Sequence, residues 1–236
     1  MRKACLFMIS ARNHLLKECL TYVDSNYNKK YNYPILIFYH NHLSDTYGNE
    51  SYREDIRRIN SKTDIRFHPI EAKIPEHLQE KDMFWNLPNA YAANFGRQRL
   101  GYLHANHFWN NFMNYSELDE FDYMMRIDDD SWFKKEIPFD FFEELDNRNG
   151  YFGTGFTWNH FSSGHMDTRY GLFKWIKNYV EKYNITVKDE QLRESLNGEI
   201  DNIKFHTLKW NCGNSNVYNR KMFETEEWKR YLNEFN

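Results

Sequence analysis

Two continuous apolar runs near the N-terminus, Ala4–Ser10 (ACLFMIS) and Pro34–Tyr39 (PILIFY), leave few folds open to this chain. Each has the length of a strand, and neither alternates with polar residues, which is the pattern of a strand covered on both faces. Between them, Leu15 to Tyr27 carries Leu16, Cys19, Leu20 and Val23 at helical spacing. A charged helical pattern over Tyr52 to Asn60 then leads to a third, shorter strand at Ile65 to Ile70. Strands of the buried type alternating with helices predict an α/β fold, with a mixed, mostly parallel central sheet covered by helices.

Further along, Glu71 to Pro88 holds two prolines and no clean period, and reads as a loop or short helices over the sheet edge. Gly96 to Met113 is close to helical period, with His104 and His107 on one face, a spacing open to a metal or to a hydrogen-bonded pair. Phe139 to Leu145, Thr168 to Tyr183, Asp189 to Leu196 and Glu224 to Phe235 read as helices. Tyr151 to Trp158 is an aromatic strand interrupted by Gly153 and Gly155, which lack the third glycine and the helix of a phosphate-binding fingerprint. No internal repeat or low-complexity linker divides the chain, so residues 1–236 read as a single domain.

The chemistry concentrates at Phe121–Phe133, FDYMMRIDDDSWF. Tyr123–Ile127 is a strand by composition, and three carboxylates follow at its C-terminal end, where open α/β sheets bind ligands. In an extended segment alternate side chains share a side, so Asp128 and Asp130 can face one ligand while Asp129 points elsewhere. Two carboxylates on one side suit a hard divalent cation, Mn²⁺ or Mg²⁺, which in turn binds phosphate. The plain alternative is a solvated acidic turn, which the apolar Met124, Met125, Ile127, Trp132 and Phe133 on both sides argue against.

A net charge of −3, from 31 basic and 34 acidic residues, argues against a nucleic-acid binder working by bulk electrostatics. Cys5, Cys19 and Cys212 have neither zinc spacing nor an even count, and read as reduced, packed thiols. No apolar run reaches the length of a membrane span, so the expectation is a soluble, cytoplasmic protein, or a Golgi-lumenal one if an anchor has been removed. An aromatic content of 18%, with abundant Asn, suits stacking on sugar faces and pairing with their hydroxyls.

The order of these features resembles glycosyltransferase family 15, the yeast-type α-1,2-mannosyltransferases. Ile9–Asn13 matches that family's apolar strand running into A-R-N, and Asn28–Tyr33 with Ser44–Tyr47 matches its N-R-R-F-N-Y and S-D-x-F/Y segments. Phe121–Phe133 is similar to its Y-D-Y-Y-W-R-V-E-P-D-x-x-x-F, with Asp128-Asp129-Asp130 for E-P-D. Gly155-Phe156-Thr157 followed by His160, and Gly213–Val217, resemble its G-F-T and W-S-N-F-E-V-A segments. The resemblance implies a GT-A-like nucleotide-sugar-binding fold, a Mn²⁺ (or Mg²⁺) cofactor, a donor such as GDP-mannose or another NDP-sugar, and a glycan acceptor. By position it implies that Asp128 and Asp130 hold the metal or the ribose, and Ala11, Arg12, Asn13, Asp128 and Arg99 are the candidates for lining the nucleotide sugar. Asp128 and Asn216 fall at catalytic positions. Arg97 or Arg99 would add charge stabilisation unless they lie on a solvated helix face, and Trp158, His160 and Trp210 are candidates for the acceptor.

The chain also departs from the family pattern. Asp129 replaces a proline, which makes the motif a general D-x-D and loosens the tie to mannose. Asn216 stands where the family has a glutamate, and a carboxamide is no nucleophile. The family continues past this chain's last residues into a segment that completes its metal site; either this is a form truncated at its C-terminus, or His160, His165 or His206 takes that role, or the metal keeps more water. The competing expectations are a non-catalytic carbohydrate-binding or pseudo-glycosyltransferase domain, and a metal-dependent phosphotransferase or nuclease.

Overall fold

The apolar runs do form strands, and the sheet they build is covered on both faces. In the computed structural model, which describes residues 3–71, 105, 107–154, 157–158, 172–188, 190–197, 210–211 and 215–235, these are β1 (Ala4–Ile9), β2 (Ile35–His40), β3 (Ile65–Ile70) and β4 (Tyr123–Ile127). β1 pairs in parallel with β2 and with β4, and β2 pairs in parallel with β3. β5 (Phe152–Thr154) and β8 (Ser215–Asn219) extend this to six strands in the order β3-β2-β1-β4-β8-β5, with β8 antiparallel to β4. The expected mixed, mostly parallel sheet is therefore present.

Alternation along each strand sends successive side chains to opposite faces. Leu6, Met8, Ile35, Ile37, Met125 and Ile127 pack on one face with Leu16, Cys19, Leu20 and Val23. Cys5, Phe7, Leu36, Phe38 and Met124 pack on the other with Phe108, Phe112, Leu118 and Phe223. With both faces buried, neither parity of β1 or β2 can be polar, which is why their sequences show no alternation.

Helix ends differ from the sequence reading for local reasons. α1 (Asn13–Val23) runs on through a π-helical turn at Asp24–Asn28 to Tyr31, and stops where Asn32 takes the left-handed conformation at φ 54°. The Asn28 carboxamide then holds Tyr33 from both sides, donating to its carbonyl and accepting from its N–H, each at 3.0 Å, and so fixes the entry into β2. α2 (Glu50–Arg57) starts early because the Asn49 side chain accepts from the Tyr52 N–H. α3 (Phe141–Asn147) starts late because Asp140 caps it through the Phe142 N–H at 3.0 Å. The same buried carboxylate also accepts from the hydroxyls of Tyr27 (3.2 Å) and Tyr33 (2.6 Å).

The chain divides into two compact units, residues 1–153 with 214–236, and residues 154–213. In the second unit β6 (Thr157–Trp158) pairs antiparallel with β7 (Trp210–Asn211), so the expected single strand over Tyr151 to Trp158 is split between two sheets. This unit also contains α4 (Leu172–Lys182) and α5 (Glu190–Asn197), around which Leu196, Ile176, Val180 and Leu192 form a small apolar cluster. α6 (Glu226–Phe235) closes the first unit. Among the described residues no helix is long and apolar enough to cross a membrane.

Candidate functional site

The sheet changes direction of travel at β1: the chain moves outward to β2 and β3 on one side and returns to β4 on the other. In open α/β sheets such a reversal opens a crevice at the carboxyl ends of the two flanking strands. Here those ends carry Ser10-Ala11-Arg12 and Asp128-Asp129-Asp130. The antiparallel β8 brings its own N-terminal end to the same edge, with Ser215 opposite Ile127 and Asn216 opposite Arg126. Segments distant in sequence thus bring Arg12, the aspartate triplet and Asn216 to one sheet edge.

The three aspartates have three different surroundings. The strand stops at Ile127, and the chain turns, with the Ser131 N–H donating to the Asp128 carbonyl at 3.0 Å, so strand alternation does not govern the triplet. Asp129 points inward and is 2% exposed. Its Oδ2 accepts from the Ser10 hydroxyl (3.1 Å) and from the backbone N–H groups of Ala11 and Arg12 (both 3.0 Å). Its Oδ1 accepts from Arg12 Nε at 2.9 Å and from Arg12 Nη2. Because the Ser10 proton is used on Asp129, the Tyr47 hydroxyl is the donor in the 2.8 Å Ser10–Tyr47 contact. Arg12, at the N-cap of α1, makes no side-chain cap of its own. The Asp129 carboxylate supplies the negative charge at that helix start instead, where the helix dipole favours it.

Asp130 and Asp128 each meet a different guanidinium. Arg12 Nη1 donates to Asp130 Oδ2 at 2.6 Å, in a pair whose side chains are 45% and 36% exposed. Arg126 donates through Nε to Asp128 Oδ1 at 3.0 Å, and its guanidinium lies 3.7 Å from the centre of the Trp109 ring. Burial pushes the Asp128 carboxyl above its ordinary range, although Arg126 pulls it back. Asn216 is 6% exposed, and its Nδ2 donates to the Tyr218 hydroxyl at 3.3 Å. Burial likewise raises Tyr218, with Arg126 opposing it. Arg126, Trp109 and Tyr218, which the sequence reading did not single out, therefore frame Asp128. The available signals were the strand parity of Asn216 and Tyr218, two apart within β8, and the place of Arg126 one residue from the end of β4.

Among the described residues no three His, Cys, Asp or Glu side chains converge on a point suited to a metal. A divalent cation at this edge would draw on Asp128 and Asp130, with phosphate and water completing its oxygen shell, a set that Mg²⁺ and Mn²⁺ accept. The residues fit that role in donor chemistry, since Asp128 and Asp130 are carboxylates at the same edge, each bonded to one guanidinium. Asp129, 2% exposed with five donors on its two oxygens, does not join them, whereas the Asp128 oxygens meet one guanidinium, Arg126, at 3.0 and 3.3 Å. Ala11 and Asn13 are exposed beside Arg12, and Asn13 opens α1. Arg97, Arg99, His104, His160, His165 and His206 lie outside the described residues, as do the side chains of Trp158 and Trp210.

A surface hollow of about 380 Å³ lies at the other end of the sheet, by the start of β3, and is lined by Arg57, Arg58, Thr63 and Asp64 among others. Its two arginines are paired with Glu50 and Asp55, and its lining carboxylates Glu54 and Asp64 are paired with Arg58 and Arg66. The charge convergence at the β1–β4 reversal is the stronger indication of a site.

No family model matches the sequence, and no curated protein matches it. Solved structures do. Core-mannan synthase A (CmsA/Ktr4) from Aspergillus fumigatus, in its Mn/GDP form, matches 99% of this chain and 63% of its own at 17% identity, with a TM-score of 0.66. The mannosyltransferase Ktr4p from S. cerevisiae matches 98% of this chain and 59% of its own at 15% identity, with a TM-score of 0.68. Its complex with GDP gives 0.70 at 16% identity, over 98% of this chain and 60% of that one. The chain thus spans about three fifths of the length of these structures. At such identities the likeness is one of fold: this chain has the GT-A-like α/β architecture of fungal mannosyltransferases.

Proposed function

We propose that this chain is a metal-dependent glycosyltransferase that moves a hexose, mannose by resemblance, from a nucleoside-diphosphate sugar to a glycan hydroxyl. The observation that carries the reading is the convergence of Arg12, Asp128, Asp130 and Asn216 at the carboxyl edge of β1 and β4. We read residues 1–236 as one transferase domain, with its two compact units serving the same reaction.

Transfer from a nucleoside diphosphate requires the leaving diphosphate to be neutralised and the acceptor hydroxyl to be held close to the anomeric carbon. A divalent cation, when bound, supplies Lewis acidity toward the phosphate oxygens. Asp128 and Asp130 are the carboxylates that would hold it. Arg12 offers a guanidinium at the helix start, where anionic oxygens are favoured. Arg126, held by Trp109, keeps Asp128 oriented. Asn216 can donate and accept a hydrogen bond but cannot form a glycosyl ester, so double displacement through this position is chemically closed. Front-side substitution assisted by the leaving phosphate, or an inverting course, is open.

The test is a panel of GDP- and UDP-sugars with Mn²⁺, followed by hydrolysis and by transfer to mannosides. Turnover of one donor that stops on chelation is the expected result. Metal-independent turnover, or none with any donor, would refute the reading; tight donor binding without turnover would favour the pseudo-enzyme that Asn216 permits. Asn216→Ala is expected to lower kcat about tenfold, as loss of a positioning group. Rates equal to wild type across all donors would remove this position from the site.

A further inference from the structure

Arg12 divides its guanidinium between two carboxylates of very different standing. Through Nε and Nη2 it is joined to Asp129, which is 2% exposed and also takes the Ser10 hydroxyl and two backbone N–H groups. Through Nη1 it reaches Asp130, in a pair where both partners are a third to a half exposed. Breaking the first contact strands a buried charge, which is costly. Breaking the second is cheap, because water competes for both groups and the net worth of such a pair is small. A guanidinium is planar and carries five donors, so one edge can stay bound while the other changes partner.

The charges around it are unbalanced in the direction that makes an exchange favourable. Three carboxylates at this edge meet two guanidiniums, Arg12 and Arg126, leaving one negative charge over. Bringing a divalent cation to Asp130 while Arg12 still occupies its oxygen would place like charges side by side. Moving Nη1 from Asp130 to an incoming phosphate oxygen relieves that repulsion and leaves the Asp129 anchor untouched.

We propose that Arg12 is a positioning residue that keeps Nε and Nη2 on Asp129 and passes Nη1 from Asp130 to a diphosphate oxygen when a cation takes Asp130. The inference rests on the donor and cation reading above. It makes Arg12 a competitor of the cation before the donor arrives and its ally afterwards, two effects of opposite sign from one side chain.

Wild type, Arg12→Ala and Arg12→Gln are titrated calorimetrically with Mn²⁺ alone, and then with GDP at saturating Mn²⁺. Both variants are expected to bind Mn²⁺ alone about two- to fivefold tighter, the size of a lost half-exposed ion pair. Both are expected to bind GDP at least about tenfold more weakly, as for loss of a charge-assisted hydrogen bond. Arg12→Gln keeps a donor for Asp129 and carries the test if Arg12→Ala does not fold. Mn²⁺ affinity that stays level or falls in the variants, or GDP affinity that does not change, overturns the exchange while leaving the transferase reading in place. A wild-type chain that binds neither Mn²⁺ nor GDP overturns both.

Discussion

Asp130→Ala should reduce glycosyl transfer a hundred- to thousandfold while shifting the unfolding free energy by less than about 1 kcal/mol. The asymmetry follows from where the carboxylate sits. It lies in a turn beyond the end of β4, it is 36% exposed, and its hydrogen bond goes to an arginine that is itself 45% exposed. Removing it costs the folded state little, because Arg12 keeps its contacts with Asp129. It costs the reaction a great deal if Asp130 is, with Asp128, one of two carboxylates among the described residues that hold a cation, since phosphate and water alone hold Mn²⁺ weakly. Circular dichroism and urea unfolding report the first quantity and initial rates with excess Mn²⁺ the second. A fully active variant would remove Asp130 from the metal site.

The middle aspartate should behave in the opposite way. Asp129→Ala is expected to destabilise the chain by about 3 kcal/mol, the scale of losing one partner from a buried, fully hydrogen-bonded charge. Five donors point at this side chain: the Ser10 hydroxyl, two backbone N–H groups, and two nitrogens of Arg12. Ser10 is buried and the Arg12 head is half-exposed, so the backbone amides and the hydroxyl bear most of the loss. Asp129→Asn should recover only part of it, because a carboxamide accepts at one oxygen and turns an NH₂ toward the remaining donors. Urea unfolding of both variants checks this order. An Asp129→Ala protein within about 0.5 kcal/mol of wild type would mean that the contact between the β1 and β4 ends adds nothing to folding.

The framework was legible in the sequence because burial on two faces writes itself into composition. Ala4–Ser10 and Pro34–Tyr39 have no polar parity to hide, Ile65–Ile70 follows at the spacing of a crossover unit, and Tyr123–Ile127 stands out by its own composition. β8 was not legible as a strand. SNVYN has a single aliphatic residue, and its strand character comes from pairing with β4 rather than from its own preference. The π-turn after Val23 and the cap at Asp140 moved helix ends by a few residues, since tertiary hydrogen bonds and not periodicity decide where a helix stops. At the site, the triplet was identifiable and Asp129 was expected to point away from Asp128 and Asp130, but the division of donors among the three was not legible. That division depends on a turn at Asp128–Ser131 and on donors from residues 10–12, more than a hundred positions away.

One side chain, Asp129, clamps the segment after β1 to the segment after β4. The two walls of the crevice are thereby tied together on that side without any ligand. Association there should resemble docking onto a rigid edge, with little freedom left to lose. A variant that loosens the clamp should therefore weaken binding through a less favourable entropy, even when every contact to the ligand can still be made.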